Sequence, residues 1–544
     1  MNSILRKPLS LSSTGNKRFV WVALCFIVIG LLTYGSSLHN DFLMDDFPRV
    51  LENADFRAKG FAPFDPETLR NQVYLRPVTD FFNFTTFVFF GDNPAGYHLL
   101  SLLLYVLSGC ALYRLLNLLF GRPVEAYLAV LFFLTHPING VAVNYKNATS
   151  FPFLILAVHV ALIKYLRYLA DDNPRHNLIV SAVWLVLALF SHEVAVAFPL
   201  YLAAALYFGR GLSLKSTVIA ALPPAGIVAL FIVTRSLLLS AKANVVGNIA
   251  DFRIDFAGYL IHYTKLLAWY FGSFFYHDGI VLAWNAPLDP NAPWWWLGVL
   301  AAAVGSTAWL LLDRRVAPAY RFGIAWMVIG CLPVALACFS RPFLGFVIQP
   351  HWLFFSSVGF FVCLGHLIGR CRIVLRTCAA VILTVVFVLA CQRQNARWSS
   401  EQLYCTHWLS VSPDNFWPNF WLGHDYLSRG QYGPAQRYFR RAALTPYKQN
   451  VVWGNLGIIA LKQEKFSLAE VYFMRVLEQD PRDAQTYYYL GHIYRKTRQY
   501  RAAIFYLNKA LEIDRYLRSA AEELEQITGR PSKSPDRDLK NGRE

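Results

Sequence analysis

Of the 544 residues, 56% are hydrophobic and only 16% charged, and the mean hydropathy is +0.35. Soluble domains carry about 25% charged residues, so the composition excludes an ordinary water-soluble enzyme. The net charge of +17 does not point to nucleic acid, because Lys and Arg gather in short links between apolar runs, which is how membrane topology is written. Nine cysteines show no CxxC and no Cys/His zinc spacing, so neither a redox pair nor a structural metal is expected.

Residues 1–18 read as a cytoplasmic N-terminal tail, basic at Arg6, Lys7, Lys17 and Arg18. The apolar run 19–38 has the length of about 20 residues that crosses hydrocarbon. It has no small-residue cleavage site, so it reads as a retained signal anchor. Ten further spans are expected over 97–119, 124–143, 151–169, 177–190, 194–208, 216–238, 294–312, 322–340, 351–368 and 374–391, which makes eleven. With the N-terminus inside, alternation puts Arg114 and Arg122, Lys164, Arg167 and Arg175, and Arg210 and Lys215 in the cytoplasm, as the positive-inside rule requires. The run 256–275 decides the count: were it to cross, Arg314, Arg315, Arg321, Arg370 and Arg372 would all face outward. It therefore reads as part of an interfacial segment, 239–293, on the outer face. An odd count places everything after residue 391 outside the cytoplasm, with the long outer loop 39–96.

A junction at 392–415 leads to segments 416–449, 450–483 and 484–517, which repeat at 34 residues. Gly423, Gly457 and Gly491 hold one register, and Ala435, Ala469 and Ala503 a second. Ala442, Val476 and Ala510 hold a third, with Phe439, Phe473 and Leu507 between. This is the tetratricopeptide pattern, in which small residues let paired helices approach and large ones fill the neighbouring groove. The array 416–518 predicts a concave face for docking a polypeptide, and 519–544 read as a disordered tail. The fold class is all-α: a polytopic membrane bundle followed by a helical solenoid.

Ionisable residues at a membrane boundary are costly and so are functional suspects. Asp45 and Asp46 open the outer loop. Adjacent carboxylates there suit general-base work on an acceptor hydroxyl, or the holding of a divalent cation, which the chemistry does not require; a plain solvated turn weighs as much from the bare sequence. Arg76, in Tyr74-Leu75-Arg76-Pro77, suits a phosphate. His98 opens the second span and His136 closes the third. Asn139, Asn144, Lys146 and Asn147 follow as polar outer-loop residues suited to sugar hydroxyls. Glu193 sits in the turn Ser191-His192-Glu193, and Arg235 near the outer end of the seventh span. Parity brings these residues to one face, where carboxylates and cations fit group transfer from a lipid phosphate.

The order Asp45-Asp46, Arg76-Pro77, Gly96-Tyr97-His98, His136-Pro137, Ser191-His192-Glu193, Arg397-Trp398 and then tetratricopeptide repeats resembles the transmembrane and tetratricopeptide-repeat protein O-mannosyltransferases and their bacterial relatives, of the C-type glycosyltransferase superfamily. The resemblance implies inverting transfer of one sugar from a polyprenyl-phosphate donor to a Ser/Thr hydroxyl of an exported protein. It implies Asp45 as the base with Asp46 beside it, and Glu193 as the acidic residue of the family's Ser-Lys-Glu segment, here with His192 in place of Lys. Arg76, His98, His136, Lys146, Glu193 and Arg235 are the expected donor-binding set. The expected site is a bacterial inner membrane with periplasmic repeats, or the endoplasmic reticulum with lumenal repeats. The rivals are transfer to a lipid or glycan, and a scaffold without catalysis.

Overall fold

The computed structural model describes residues 13–44, 46, 74–170, 172–239, 255–286, 291–337 and 346–529. The chain divides into two compact units, Met1–Tyr404 and Cys405–Glu544. The first holds α1 (Ser13–Tyr34), α2 (Pro77–Phe90), α3 (Pro94–Phe120), α4 (Pro123–Thr135), α5 (Val141–Asn144), α6 (Ser150–Leu169) and α7 (Pro174–Leu189). It continues with α8 (Phe198–Ala204), α9 (Leu214–Leu238), α10 (Phe256–Gly272), α11 (Trp295–Leu312), α12 (Pro318–Ala337), α13 (Phe354–Gly369) and α14 (Ile373–Arg397). Next along the chain comes α15 (Glu401–Val411). A short antiparallel ladder pairs β1 (Trp284–Ala286) with β2 (Phe346–Ile348).

Among the described residues, eight helices are long and apolar enough to cross a membrane, and α4 with α5 makes a ninth, bent by 57°. Shorter apolar helices cover Pro174–Leu189 and Glu193–Gly209, so within the described residues each expected span coincides largely with helix. The helix α10, over the segment read as interfacial, is not among them.

Two spans and one loop differ from the sequence expectation. The third span is not straight: Pro137 supplies no N–H and pushes His136 into extended backbone, φ −77° and ψ 131°, which ends α4. The sixth span is a 3-10 turn (Glu193–Ala197), α8 and a π turn (Ala205–Gly209) in succession. The outer loop contains a helix of its own, α2, started by Pro77 at its first turn.

The bundle is sorted by burial. The window over α6 is 83% buried and forms the centre, whereas α11 has no buried residue and turns Val304, Trp309 and Leu312 outward. Small residues set the closest contact: a Cβ on Gly359 would stand 2.2 Å from the Gly323 carbonyl oxygen, so α12 and α13 touch backbone to backbone. At the end of the bundle that carries the chemistry, three buried amides tie the first, third and last spans. Asn40 Nδ2 donates to Asn144 Oδ1 (3.1 Å) and to the Asn395 carbonyl (3.2 Å), Asn144 Nδ2 donates to Asn395 Oδ1 (2.7 Å), and Asn395 Nδ2 donates to the Thr33 carbonyl (2.8 Å). Asn139 is likewise spent, donating to the Phe133 carbonyl and accepting from Ser357. These amides, Asn139 and Asn144 among them, brace helices through their side chains.

The second unit contains three helix pairs, α16 (Phe416–Ser428) with α17 (Tyr432–Ala442), α18 (Gln449–Lys462) with α19 (Phe466–Gln479), and α20 (Ala484–Lys496) with α21 (Tyr500–Ile513), then α22 (Arg518–Thr528). Each repeat glycine faces the large residue of its own partner helix: a Cβ would come within 2.9 Å of Phe439 at Gly423, 2.7 Å of Phe473 at Gly457 and 2.7 Å of Leu507 at Gly491. Residues with left-handed φ also recur at the repeat interval, Gly430 (72°), Glu464 (57°) and Arg498 (62°), one in each inter-helix turn. The segment expected to be a disordered tail from residue 519 instead opens with α22, which continues the array. Ala520, Leu524 and Ile527 pack against Leu507 and Ala510, and buried Glu523 pairs with Arg495 (2.7 Å) and His492. Residues 530–544 lie outside the described residues.

The glycine contacts predict that Gly457→Leu, which drives a side chain into Phe473, destabilises the second repeat by about 2–3 kcal/mol. Limited proteolysis of the full-length protein should then cut between Gln449 and Gln479 at lower temperature, with the other repeats cut later.

Candidate active site

The chain leaves α1 through a 3-10 turn (Gly35–His39) and doubles back at residues 43–46. The Asp46 N–H donates to the Leu43 carbonyl (3.1 Å), and Asp46 Oδ2 accepts from the Leu43 N–H (3.4 Å). Its other oxygen, Oδ1, accepts from the Asn147 N–H (3.1 Å), so this carboxylate fastens the loop to the turn after the broken third helix. Asp46 is 1% exposed. Burial raises its carboxyl from 3.8 to about 7, against the opposing pull of the two N–H donors and of Lys146. Asp45 lies outside the described residues.

Lys146 is buried beside it. Its Nζ donates to Thr149 Oγ1 (3.1 Å) and stands 5.3 Å from the Tyr97 ring centre. Thr149 Oγ1 meets Ser101 Oγ at 2.7 Å. His98 Nδ1 donates to the Val143 carbonyl (3.2 Å), which leaves Nε2 as an acceptor, buried and without a partner among the described residues.

A second group stands on the other side of the same turn. Arg76 grips Glu193 with two prongs, Nε to Oε2 (2.9 Å) and Nη2 to Oε1 (2.7 Å), and lies over the Tyr74 ring at 4.3 Å. The start of α2 is docked on the α7 end: Val78 N–H donates to the Phe190 carbonyl (3.2 Å) and Thr79 Oγ1 to the Ser191 carbonyl (2.9 Å). Ser191 Oγ in turn donates to the Ser150 carbonyl (3.4 Å). His192 caps the next turn by accepting from the Val194 N–H (3.3 Å), and its ring packs 4.5 Å from Phe151. His351 also packs against Phe151 (5.1 Å). The segment 145–151 therefore stands between the two groups, with Asn147 on Asp46, and Ser150 and Phe151 on Ser191 and His192.

Arg235 is half-buried in the last turn of α9, and Leu239, just past that helix, packs with Leu75 and Phe190. The structure does not bring in His136. It is fully buried, its Nε2 donates to the Phe274 carbonyl (3.0 Å) and its Nδ1 accepts from the Ile138 N–H (3.1 Å). Both of its nitrogens are spent on capping the helix break. Sequence reading missed the Asn147 N–H, His351 and Glu401, whose Oε2 accepts from the Met44 N–H at 3.2 Å. The available signals were the Pro350-His351 pair at the start of an expected span and an acid three residues after Trp398. Among the described residues no three His, Cys, Asp or Glu side chains converge as a metal set.

Polar and charged groups thus gather at one end of a multi-pass helical bundle, and comparison with known proteins shows what the chain is similar to. Residues 76–237 match the family model described as dolichyl-phosphate-mannose-protein mannosyltransferase, and 451–483 and 484–516 match tetratricopeptide repeat models. The match supports a membrane glycosyltransferase of the mannosyltransferase kind, and the repeat matches agree with the resemblance of the motifs to the transmembrane and tetratricopeptide-repeat O-mannosyltransferases. The matched stretch contains Arg76, His98, Lys146, Glu193 and Arg235, and begins after the acidic pair. The chain is also similar to anaphase-promoting complex subunit 3 of Schizosaccharomyces pombe, 25% identical over 92 residues, which cover 17% of this chain and 14% of that protein.

Proposed function

We propose that this protein moves a single hexose, mannose in the first instance, from a polyprenyl-phosphate sugar to a Ser/Thr hydroxyl of an exported polypeptide on the extracytoplasmic face, as a C-type, inverting enzyme. The observation that carries the reading is the shared turn 145–151, which fastens the Asp46 loop on one side and adjoins the Arg76–Glu193 pair on the other. A buried carboxylate and the Arg76–Glu193 pair adjoin the same turn, an arrangement that suits a base beside a phosphate site.

In this scheme Asp45 takes the proton of the acceptor hydroxyl as its oxygen attacks the anomeric carbon. The bond from that carbon to the phosphate oxygen breaks, and the polyprenyl phosphate leaves with the electron pair. One displacement inverts the anomeric centre. A guanidinium has five N–H donors, and Glu193 engages two of them. The remaining edge of Arg76, together with Lys146 and Arg235, receives the phosphate, so the leaving group departs as an anion without a general acid. His98, with its free Nε2 acceptor, faces Lys146 and suits a sugar hydroxyl. The role of Asp46 is to hold the turn in which Asp45 sits. The repeats present the polypeptide.

The carboxyl of Asp46 supplies a pH prediction. Two N–H donors favour its ionised form, so protonation below about 7 weakens the turn. The rate should rise with pH through that value and level off above it, and Asp46→Asn should remove this limb while lowering the plateau. Stability runs the other way. The folded carboxyl binds its proton more tightly than the unfolded one, so stability falls as pH rises from the ordinary 3.8 to about 7 and is then flat. Rate profiles and thermal melts of both forms check the two slopes.

Mass spectrometry of exported proteins with and without the gene tests the function. Loss of a hexose-sized adduct on Ser or Thr is expected. Modified lipid with unmodified protein would move the acceptor to a lipid or glycan, and a cytosolic reporter signal at residue 450 would end the proposal.

A further inference from the structure

We infer that Glu401, at the root of the segment leading to the repeats, is a positioning residue that holds the acidic loop in its working shape. The inference rests on the glycosyltransferase reading above and adds to it a residue from the far end of the membrane unit. Three observations carry it.

Met44 sits at the first corner of the turn that Asp46 closes, with φ +55°. That is the left-handed region, which favours glycine and which a side chain such as Met occupies only when its surroundings insist. What insists is visible. Glu401 Oε2 accepts from the Met44 N–H at 3.2 Å, across 357 positions of sequence, while Met44 itself is 2% exposed. The N–H of Met44 is therefore aimed at a carboxylate, and the peptide that follows Met44 leads directly into Asp45.

Glu401 is itself well anchored. It opens α15 three residues after Trp398, whose ring packs at a tilt on Tyr404 with centres 4.0 Å apart. Just before it, Arg397 pairs with Asp278 at 2.9 Å and Asn395 belongs to the amide triad. The turn 43–46 is thus held from two sides, by Asn147 on Asp46 and by Glu401 on Met44. Two fixed points, at Met44 and at Asp46, are what holding an acidic turn in one shape requires, because a displacement of about 1 Å at a catalytic group costs on the order of 100-fold in rate.

The test uses the full-length protein in detergent or nanodiscs, with polyprenyl-phosphate mannose and a Ser/Thr-rich peptide as probes. Glu401→Ala should lower kcat by about 10- to 100-fold and leave the donor KM within about twofold. Glu401→Gln keeps a carbonyl acceptor and should recover most of the loss. Met44→Gly, which accepts a left-handed φ without strain, should restore much of the activity when combined with Glu401→Ala. A Gln variant as slow as the Ala variant, an absence of rescue by glycine, or a loss confined to KM would overturn the assignment.

Amide hydrogen exchange over residues 42–46 reads the contact without any substrate. It should quicken by about tenfold or more in Glu401→Ala and stay near wild type in Glu401→Gln, since losing the acceptor opens the amide locally. Unchanged exchange in Glu401→Ala would overturn the inference. Changed exchange in a protein that transfers no mannose would instead uphold the contact and count against the proposed function.

Discussion

Asp45→Asn in the full-length enzyme is expected to lower kcat by about 1,000-fold or more, with donor KM little changed. A positioned general base contributes about 100- to 10,000-fold, and an amide of the same shape can accept no proton. Because the base acts only as the new bond forms, donor binding is spared. The comparison that gives this result its meaning is Asp46→Asn. Asp46 engages Leu43 N–H through one oxygen and Asn147 N–H through the other, and an amide can satisfy only one of those donors with its carbonyl oxygen. Its loss should be smaller, about 10- to 100-fold, and should come with faster amide exchange at Asn147. If Asp46→Asn proves the more damaging change and Asp45→Asn retains most activity, the two roles must be exchanged. Steady-state kinetics with separately varied donor and acceptor decide the matter.

Arg76→Ala is the second large effect. The Arg76 and Glu193 side chains are 21% and 34% exposed, so removing one partner leaves a partly buried charge unpaired. Breaking a buried pair costs about 3–5 kcal/mol, and the exposure here reduces that to about 2 kcal/mol of stability. If Arg76 also receives the donor phosphate, kcat/KM should fall by about 100- to 1,000-fold, beyond what stability explains. Glu193→Gln separates the two contributions. It keeps a carbonyl for one prong and leaves the guanidinium in place, so donor KM should rise by about tenfold or less. Arg76→Lys supplies the charge but not the fork, and should lie between Ala and wild type. Equal losses in Arg76→Ala and Glu193→Gln, matched by equal drops in melting temperature, would reduce Arg76 to a brace.

The elements legible in the sequence were those written in local pattern. The apolar runs sat where the helices are, because hydrophobic length is a property of contiguous residues. The 34-residue registers announced the repeats, and Gly457 against Phe473 shows why: small and large positions answer each other inside one helix pair. Arg76, Lys146, Glu193 and Asp46 could be suspected singly, since a charge at a membrane boundary is expensive wherever it points. Their partners could not be read. His136 looked like the other histidines until its ring nitrogens were found engaged by Phe274 and Ile138. The Asn147 backbone N–H carries no side-chain signature, and Glu401 meets Met44 across 357 positions. The helix α22 was hidden because Ala520, Leu524 and Ile527 lie at helical spacing within an acidic, polar stretch.

The amide triad has a bearing on how the protein is made. Asn40 and Asn144 emerge from the ribosome early, whereas Asn395, which accepts from both, belongs to the last membrane helix. Until that helix has been threaded into the bilayer, the other two amides have no third member and the segment after Asn40 has no fixed anchor at its base. A nascent chain arrested before residue 395 would therefore hold Asn40 and Asn144 with their bracing to the last helix unmade.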